Sequence, residues 1–406
     1  MTEDILVGLD IGSSLVRCLL AVNEEGSTPR VIGWGVAPSD GVRNGVIINI
    51  RSAANAINQA ITEVENRGYE VQYVTAGITG MSIDGMNSRG VVAINKGKEI
   101  GDFEIDRVMD AAKAVVIPED REILHIIPQE YMVDGTPDIA DPRGMMGVRL
   151  EVETHIITVS LTSVRNLINA VNTAGIKVEE LLFGGLAAAE ACLTQDEKFY
   201  GCVHLHMGAG TTDVTLWYKG APRFTRSYPL GGNMVTADLS SVLHISITDA
   251  ERLKKEEGAC YPGLLENDQV LIQRVGDSRV TPIQHNDLLE IIGARVIETL
   301  EIIKNDLIKS GFMDRINGGV VLTGGAALLL GMPELAQKLF HRHSRLAVPM
   351  GLGSLRDPIN GTDWSVCAGL VQAAARTHAK IGPRVQQRSS DKGLMNWIKN
   401  IFKKII

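Results

Sequence analysis

The chain has 406 residues, room for two large lobes or several smaller domains. A hydrophobic content of 45% with 22% charge is that of an ordinary globular protein, and a net charge of −8 argues against nucleic-acid binding on bulk electrostatics. No run approaches the roughly 18 apolar residues of a membrane span, and the acidic start Met1-Thr2-Glu3-Asp4 predicts no signal peptide. Cys18, Cys192, Cys202, Cys260 and Cys367 are scattered without a C-x-x-C pair, which predicts reduced, buried thiols.

In chain order, an apolar strand runs into Asp10-Ile11-Gly12-Ser13-Ser14 and then into a second strand over 16–22. A third strand follows over 31–36, then a loop and short strand over 41–50. Apolar residues at helical spacing (Ala53, Ala56, Ile57, Ala60, Ile61, Val64) predict a helix over 52–67, with Ser52 as N-cap and Gly68 as the stop. A strand over 71–78 completes a βββαβ unit. Residues 81–160 interrupt it with their own alternation: strand 90–94, helix 104–115, strand 122–131, polar loop 134–146 and strand 148–158. This reads as a small inserted α+β domain. Helices are predicted over 163–174 and, rich in alanine, over 184–193.

The second half repeats the plan from Cys202. Helices are predicted over 233–243 and 248–258, the latter opening with the capping-box signature Thr248-x-x-Glu251. Strand pairs follow within 260–283, then a long helix over 287–310 stopped by Gly311, a helix over 331–340 and a last one over 363–379. Residues 380–392 are polar and aperiodic, a flexible linker. His341 and His343 read as a surface pair at a helix end.

Three glycine turns carry the chemistry. Leu205-His206-Met207-Gly208-Ala209-Gly210-Thr211-Thr212-Asp213 is a strand, a tight turn and the start of a second strand. Asp10-Ile11-Gly12-Ser13-Ser14 repeats the design. Glycine lets the backbone approach a phosphate closely, and successive turn N–H groups make an anion-binding concavity. A third turn, Val320-Val321-Leu322-Thr323-Gly324-Gly325-Ala326-Ala327, follows a strand and opens a helical stretch, a seat for a nucleoside. A single such turn is equally a plain surface hairpin; three in this order are specific.

The two hairpins and the later Gly-Gly turn resemble the two phosphate loops and the adenosine loop of the actin/Hsp70/sugar-kinase superfamily. Within it, Asn87-Ser88-Arg89-Gly90-Val91-Val92-Ala93-Ile94, the helix around Ala111-Ala112-Lys113, the stretch from Pro118 to Glu130 and Gly147-Val148-Arg149-Leu150-Glu151 resemble the inserted domain of FtsA, a bacterial actin-like cell-division family. The resemblance covers nearly the whole chain. It implies an α/β, two-lobed actin-like ATPase fold with an inserted small α+β domain and a C-terminal amphipathic helix. In the family's terms, subdomain IA spans 1–81, 161–195 and 353–379, with the insert IC at 82–160. Subdomain IIA spans 196–232 and 286–352, around IIB at 233–285. The linker is 380–392 and the terminal helix 393–406.

The resemblance further implies ATP and Mg²⁺ as cofactors. Phosphates fall to Gly12, Ser13 and Ser14 and to Gly208, Ala209, Gly210, Thr211 and Thr212. Asp10 holds Mg²⁺ through water, as suits an ion that keeps several waters. Gly231, Gly232 and Asn233 form a further nucleotide-side turn. Glu251 and Lys254 meet the ribose, and Gly324, Gly325 and Ala326 the adenosine. Each hydroxyl also suits a local turn bond, and Glu251 and Lys254 a solvated helix face. Two departures stand out. The superfamily usually has Asp where this chain has His206, and a neutral imidazole brings no charge to a metal. Hydrolysing members tend to carry Gln or Glu, to orient the attacking water, where this chain has Phe183-Gly184-Gly185-Leu186. Both predict ATP binding with slow or absent hydrolysis, so no catalytic residue is assigned. The alternative is an active ATPase or small-molecule kinase of the same superfamily. A chaperone-like ATPase has less support, because no β-rich substrate domain follows the nucleotide unit.

The terminal stretch divides cleanly on a helical wheel. Leu394, Met395, Trp397, Ile398, Ile401, Phe402, Ile405 and Ile406 share one half; Asn396, Lys399, Asn400, Lys403 and Lys404 take the other. An apolar half with a lysine edge suits the headgroup boundary of an anionic membrane, which the basic Arg384, Arg388 and Lys392 also favour. Docking on a partner or on the protein's own body are the rivals. A metabolic kinase has no need of such a segment. The resemblance implies a peripheral protein on the cytoplasmic face of the inner membrane at the division septum. It implies filaments of this chain and recruitment of later division proteins through the insert. It also implies capture of the acidic C-terminal tail of FtsZ, the tubulin-like division protein, near the 287–310 helix. Arg295, Lys304 and Lys309 are basic positions there, though ordinary solvated charges look the same.

Overall fold

The structure, a computed structural model, describes residues 4–23, 28–264, 269–354 and 359–381. Lobe one begins with β1 (Asp4–Ile11), β2 (Leu15–Asn23) and β3 (Arg30–Pro38), an antiparallel meander. A small hairpin, β4 (Val42–Arg43) and β5 (Val46–Ile47), leads into α1 (Ile50–Glu65) and β6 (Tyr73–Ile78). The N-cap of α1 is Asn49, whose Oδ1 accepts from the Ser52 N–H at 3.1 Å. This corrects the expectation of Ser52 as cap: two cap-type residues stand three apart, and the extended backbone at Asn49 places it first.

The insert follows: β7 (Asp84–Ala93), α2 (Asp102–Lys113), β8 (Arg121–Val133), β9 (Thr136–Ile139) and β10 (Arg149–Ser160). Strand β9 lies in the stretch read as loop. Its signal was present, because Asp134-Gly135 adopts two consecutive left-handed conformations (φ 50° and 84°), the two-residue turn that Asp-Gly favours. The insert has its own core, with Ile105, Val108 and Met109 of α2 against Tyr131, Leu150 and Val152.

The chain then returns through α3 (Leu161–Thr173), β11 (Lys177–Phe183), α4 (Gly184–Cys192) and the short α5 (Gln195–Tyr200), which sequence periodicity did not reveal. Lobe two contains β12 (Cys202–Met207), β13 (Thr212–Tyr218), β14 (Ala221–Tyr228), α6 (Gly232–Leu243), α7 (Ile247–Glu257), β15 (Gln269–Gln273), β16 (Val280–Gln284), α8 (His285–Lys309), β17 (Val320–Thr323), α9 (Met332–Phe340) and β18 (Ser344–Leu346). The last element, α10 (Ser365–Ile381), packs back on lobe one. Two local expectations are corrected. Ser246, not Thr248, caps α7, its Oγ accepting from the Asp249 N–H at 3.0 Å. The turn after β17 is a single 3₁₀ turn, Gly325–Leu328, and α9 starts only at Met332.

Lobe one is a five-stranded sheet in the order β11-β6-β1-β2-β3, with β6 parallel to both β1 and β11. Helix α1 covers one face and α10 the other. With aromatics at 4%, the fully buried set is mostly Leu and Ile, such as Leu9, Leu19, Ile57 and Ile61. Each contributes about 1.5–3 kcal/mol by leaving water. All five cysteines are free and buried, and burial pushes the Cys18 thiol up to about 12.

Lobe two repeats the meander as β12-β13-β14, with β17 parallel to β12. Its sheet does not stop there. The order β18-β17-β12-β13-β14-β7-β10-β8-β9 runs on into the insert across one pairing, Arg226 opposite Asp84. Strand partners distant in sequence leave no periodicity signal, so this continuity was not legible beforehand. Among the described residues, no helix is long and apolar enough to cross a membrane.

Candidate functional site

The tips of the two meanders meet. The β1–β2 turn closes with the Gly12 N–H donating to Leu15 O at 3.1 Å, and the β12–β13 turn with the Gly208 N–H donating to Thr211 O at 2.8 Å. A Cβ on Gly210 would lie 2.4 Å from Ser13 Oγ and 3.0 Å from the Asn44 Cα, so only glycine permits this approach. The Ser13 Oγ also accepts from the Gly45 N–H at 2.9 Å, which fixes the β4–β5 turn against the tip.

Between the lobes lies a cavity of about 620 Å³, within the size range of small-molecule sites. Asp10, Gly12, Ser13 and Ser14 line it from lobe one. Gly208, Ala209, Gly210, Thr211, Thr212, Gly231, Gly232, Glu251, Lys254, Gly325 and Ala326 line it from lobe two. Two of the expected positions do not line it. Asn233 is exposed to solvent, and its N–H donates to Ala209 O at 2.8 Å. Gly324 is left-handed (φ +90°), and its N–H donates to Thr362 O at 3.0 Å. Thr212 turns its hydroxyl inward to Leu230 O at 2.6 Å, a bond to the chain 18 residues on, after β14, rather than an open donor.

Glu251 and Lys254 do not form a solvated helix face. Lys254 Nζ donates to Glu251 at 2.6 Å, Thr236 Oγ1 at 2.9 Å and Gly232 O at 3.1 Å. This fastens α7 to the start of α6. Burial lowers the Lys254 pKa, while for Glu251 the hydrogen bonds from Lys254 and Thr236 outweigh burial and hold it low.

The phosphate-loop end contains two carboxylates, the half-buried Asp10 and the buried Asp213. Burial raises Asp10 to about 6, with Arg17 opposing and Asp363 adding to the rise. Burial also raises Asp213 to about 6, despite hydrogen bonds from Ser227 Oγ (2.6 Å) and Thr79 Oγ1 (2.5 Å), and Asp10 adds to it. Arg17 pairs with Asp363 at 2.6 Å. His206 is lowered to about 4 by burial and by Arg17, so its ring is neutral at pH 7. Its Nδ1 lies 3.0 Å from Thr323 Oγ1 and 3.3 Å from Ser365 Oγ. Sequence reasoning missed Arg17, Thr79 and Asp363 as cleft residues and Ser227 as a buried partner of Asp213 behind them, since each comes from a strand or turn with no motif of its own. Asp213 ends the central motif and was legible, but its role was not.

The basic positions on α8 already have partners. Arg295 Nε donates to Asp238 at 2.5 Å, Lys304 Nζ to Leu339 O at 2.7 Å and Lys309 Nζ to Asp306 at 3.2 Å. The membrane-facing set Leu394, Trp397, Ile398, Lys399, Ile401, Phe402, Lys403, Lys404 and Ile405 lies outside the described residues.

Comparison with known proteins decides the family. Residues 80–158 match the family described as "SHS2 domain inserted in FTSA", and residues 203–369 match "Cell division protein FtsA". The chain belongs to the FtsA family. Cell division protein FtsA of Borreliella burgdorferi is 40% identical over 375 residues, 91% of each chain. That of Neisseria meningitidis is 35% identical over 407 residues, covering 97% of this chain and 98% of the relative. The role of this FtsA-family chain is therefore in cell division. Solved structures show the same actin-like fold. A PilM–PilN type IV pilus biogenesis complex superposes with a TM-score of 0.64 at 15% identity, covering 91% of this chain and 98% of that one. MreB5 of Spiroplasma citri bound to ADP gives 0.55 at 13%, covering 93% and 99%.

Proposed function

We propose that this FtsA-family protein binds Mg-ATP between its lobes, assembles into actin-like filaments and ties FtsZ to the inner face of the membrane. The observation that carries the nucleotide part is the meeting of the two glycine tips at Gly210 and Ser13 over one cavity. Turn N–H groups and the Ser13 and Thr211 hydroxyls are suited to the phosphates. The 3₁₀ turn at Gly325 and the Glu251–Lys254 pair are suited to the nucleoside. The actin-like neighbour bound to ADP supports this reading.

The donor set fits Mg²⁺. Two carboxylates, the half-buried Asp10 and the buried Asp213, line the cleft walls, and desolvation raises both at a cost that a cation relieves. They are hard oxygen donors. When bound, the ion neutralises charge on the phosphates. The chain's own residues bind and orient; Gly184 and Gly185 offer no side chain to activate water, which supports slow or absent hydrolysis.

The membrane part rests on sequence, the apolar half and lysine edge of 393–406. Later division proteins would dock on the insert. Co-flotation with anionic vesicles tests the adaptor. Full-length protein carries a peptide of the FtsZ C-terminal tail to the vesicles, and a chain ending at Lys380 does not. Equal flotation of the two rejects the anchor. Absence of peptide with the floated protein rejects the FtsZ link.

A further inference from the structure

The two lobes are built on the same hairpin, and the equivalence can be followed residue by residue. Asp10 stands two residues before Gly12, and His206 two before Gly208, where the matching turn bonds close. Each faces a cross-strand partner: Asp10 opposite Arg17, His206 opposite Asp213. Directly opposed residues point to the same face of a sheet. Lobe one thus carries its carboxylate on the first strand of the hairpin. In lobe two the carboxylate has crossed to the second strand without leaving the cleft.

His206 does not replace the missing charge. Its ring is neutral, with Nδ1 engaged by Thr323 and Ser365. Asp213 is 1% exposed, and its Oδ1 takes two hydroxyl bonds, from Thr79 and from Ser227. The Gly80 N–H donates to Ser227 Oγ at 3.2 Å, which leaves that hydroxyl's proton for Asp213. Oδ1 is taken by these two hydroxyls, and among the described residues no hydrogen bond is made to Oδ2. The wall position that Gly184 leaves open is 3.9 Å from it. Thr79 is the residue before the matched insert begins at 80. It also lies 3.5 Å from Thr211 Oγ1 on the lobe-two tip.

We propose that Asp213, rather than His206, is the lobe-two carboxylate that faces the hydrated Mg²⁺ of a bound nucleotide, and that Thr79 is the positioning residue that aims it. The inference rests on the nucleotide reading above and goes beyond it in assigning this pair. A hydrogen bond to a charged group, once lost, changes an equilibrium by about tenfold or more.

The test is the ratio of dissociation constants for a fluorescent ATP analogue, in EDTA against Mg²⁺, measured on the full chain. The wild type binds more tightly with Mg²⁺. Asp213→Asn, an isosteric change, and Thr79→Val each shrink that ratio about tenfold, whereas Thr79→Ser restores it because it keeps the hydroxyl. The double variant His206→Asp with Asp213→Asn recovers part of the ratio. If Thr79→Val does not fold, Asp213→Asn decides alone. A wild-type ratio in Asp213→Asn overturns the proposal, as does a wild type that binds the analogue without regard to Mg²⁺. A wild type that binds no analogue under either condition instead rejects the nucleotide reading on which the proposal stands.

Discussion

Replacing Gly210 by alanine tests whether the two hairpin tips act as one site. The new methyl carbon lands 2.4 Å from Ser13 Oγ, 2.8 Å from Ser13 Cβ and 3.0 Å from the Asn44 Cα. Ser13 cannot simply rotate away, because its Cβ is also too close and its Oγ holds the Gly45 N–H. Restoring ordinary contact requires the tips to separate by about 1 Å. Overpacking of this kind costs about 1–3 kcal/mol. The lobes can yield by opening, so most of the cost falls on the closed, ligand-gripping geometry rather than on either core. A misplacement near 1 Å at a positioned site weakens it by up to about a hundredfold. Gly210→Ala is therefore expected to reduce affinity for an ATP analogue by about 10–100-fold, with thermal unfolding shifted by only a few degrees. Fluorescence titration beside a melting curve reads both. Affinity within twofold of wild type would refute the convergence argument.

Other expectations follow from the charges. His378 lies between Asp4 (2.8 Å) and Glu179 (3.2 Å), and Glu179 above all raises it to about 9 from an ordinary 6.5. A folded-state pKa above the unfolded one gives stability that is complete below about pH 6.5 and lost as pH rises through about 9. Unfolding free energies of wild type and His378→Gln from denaturant titrations should thus differ by about 2 kcal/mol near pH 6 and converge above pH 9; a constant difference would show that charge is not the cause. Asp213, likewise raised, from 3.8 to about 6, tilts stability in the same direction over a lower window: apo stability falls as pH rises from about 4 to 6, here because an unfavourable buried charge forms. Without ligand, Asp213→Asn should gain about 1–3 kcal/mol at pH 7 and nothing near pH 4, measured by thermal melts. Loss of stability at pH 7 would mean the ionised carboxylate is compensated in the apoprotein. At Gly184 a Cβ meets nothing nearer than 3.6 Å and starts 3.9 Å from Asp213 Oδ2, so Gly184→Gln is the substitution that tests a water-orienting amide there. ATP turnover should rise about tenfold from its basal level; unchanged turnover would show that the missing side chain is not what limits hydrolysis.

Much of the architecture followed from local rules. Alternation and glycine punctuation identified both meanders, because each hairpin is closed by its own turn and needs no distant partner. Helical spacing located α1, α8 and the insert's α2, since each buries one continuous stripe. Caps were less legible: Asn49 and Ser52, or Ser246 and Thr248, compete within one turn, and only backbone geometry chooses between them.

The cleft divides along the same line. The chain's own order of residues determined which segments are glycine turns, that Asp10 and the Thr211–Asp213 stretch are polar, and that 393–406 is two-faced. Only tertiary structure decided which atoms face the cavity. It turned Thr212 inward and left Asn233 outside the cavity lining, facing solvent. It brought Thr79 and Ser227 to Asp213, and it joined the insert's sheet to lobe two through Arg226 and Asp84. The physical reason is range. Turn and strand preferences act over a few residues, whereas the charge state of Asp213 is set by burial and by partners from three separate segments that meet only when the lobes pack.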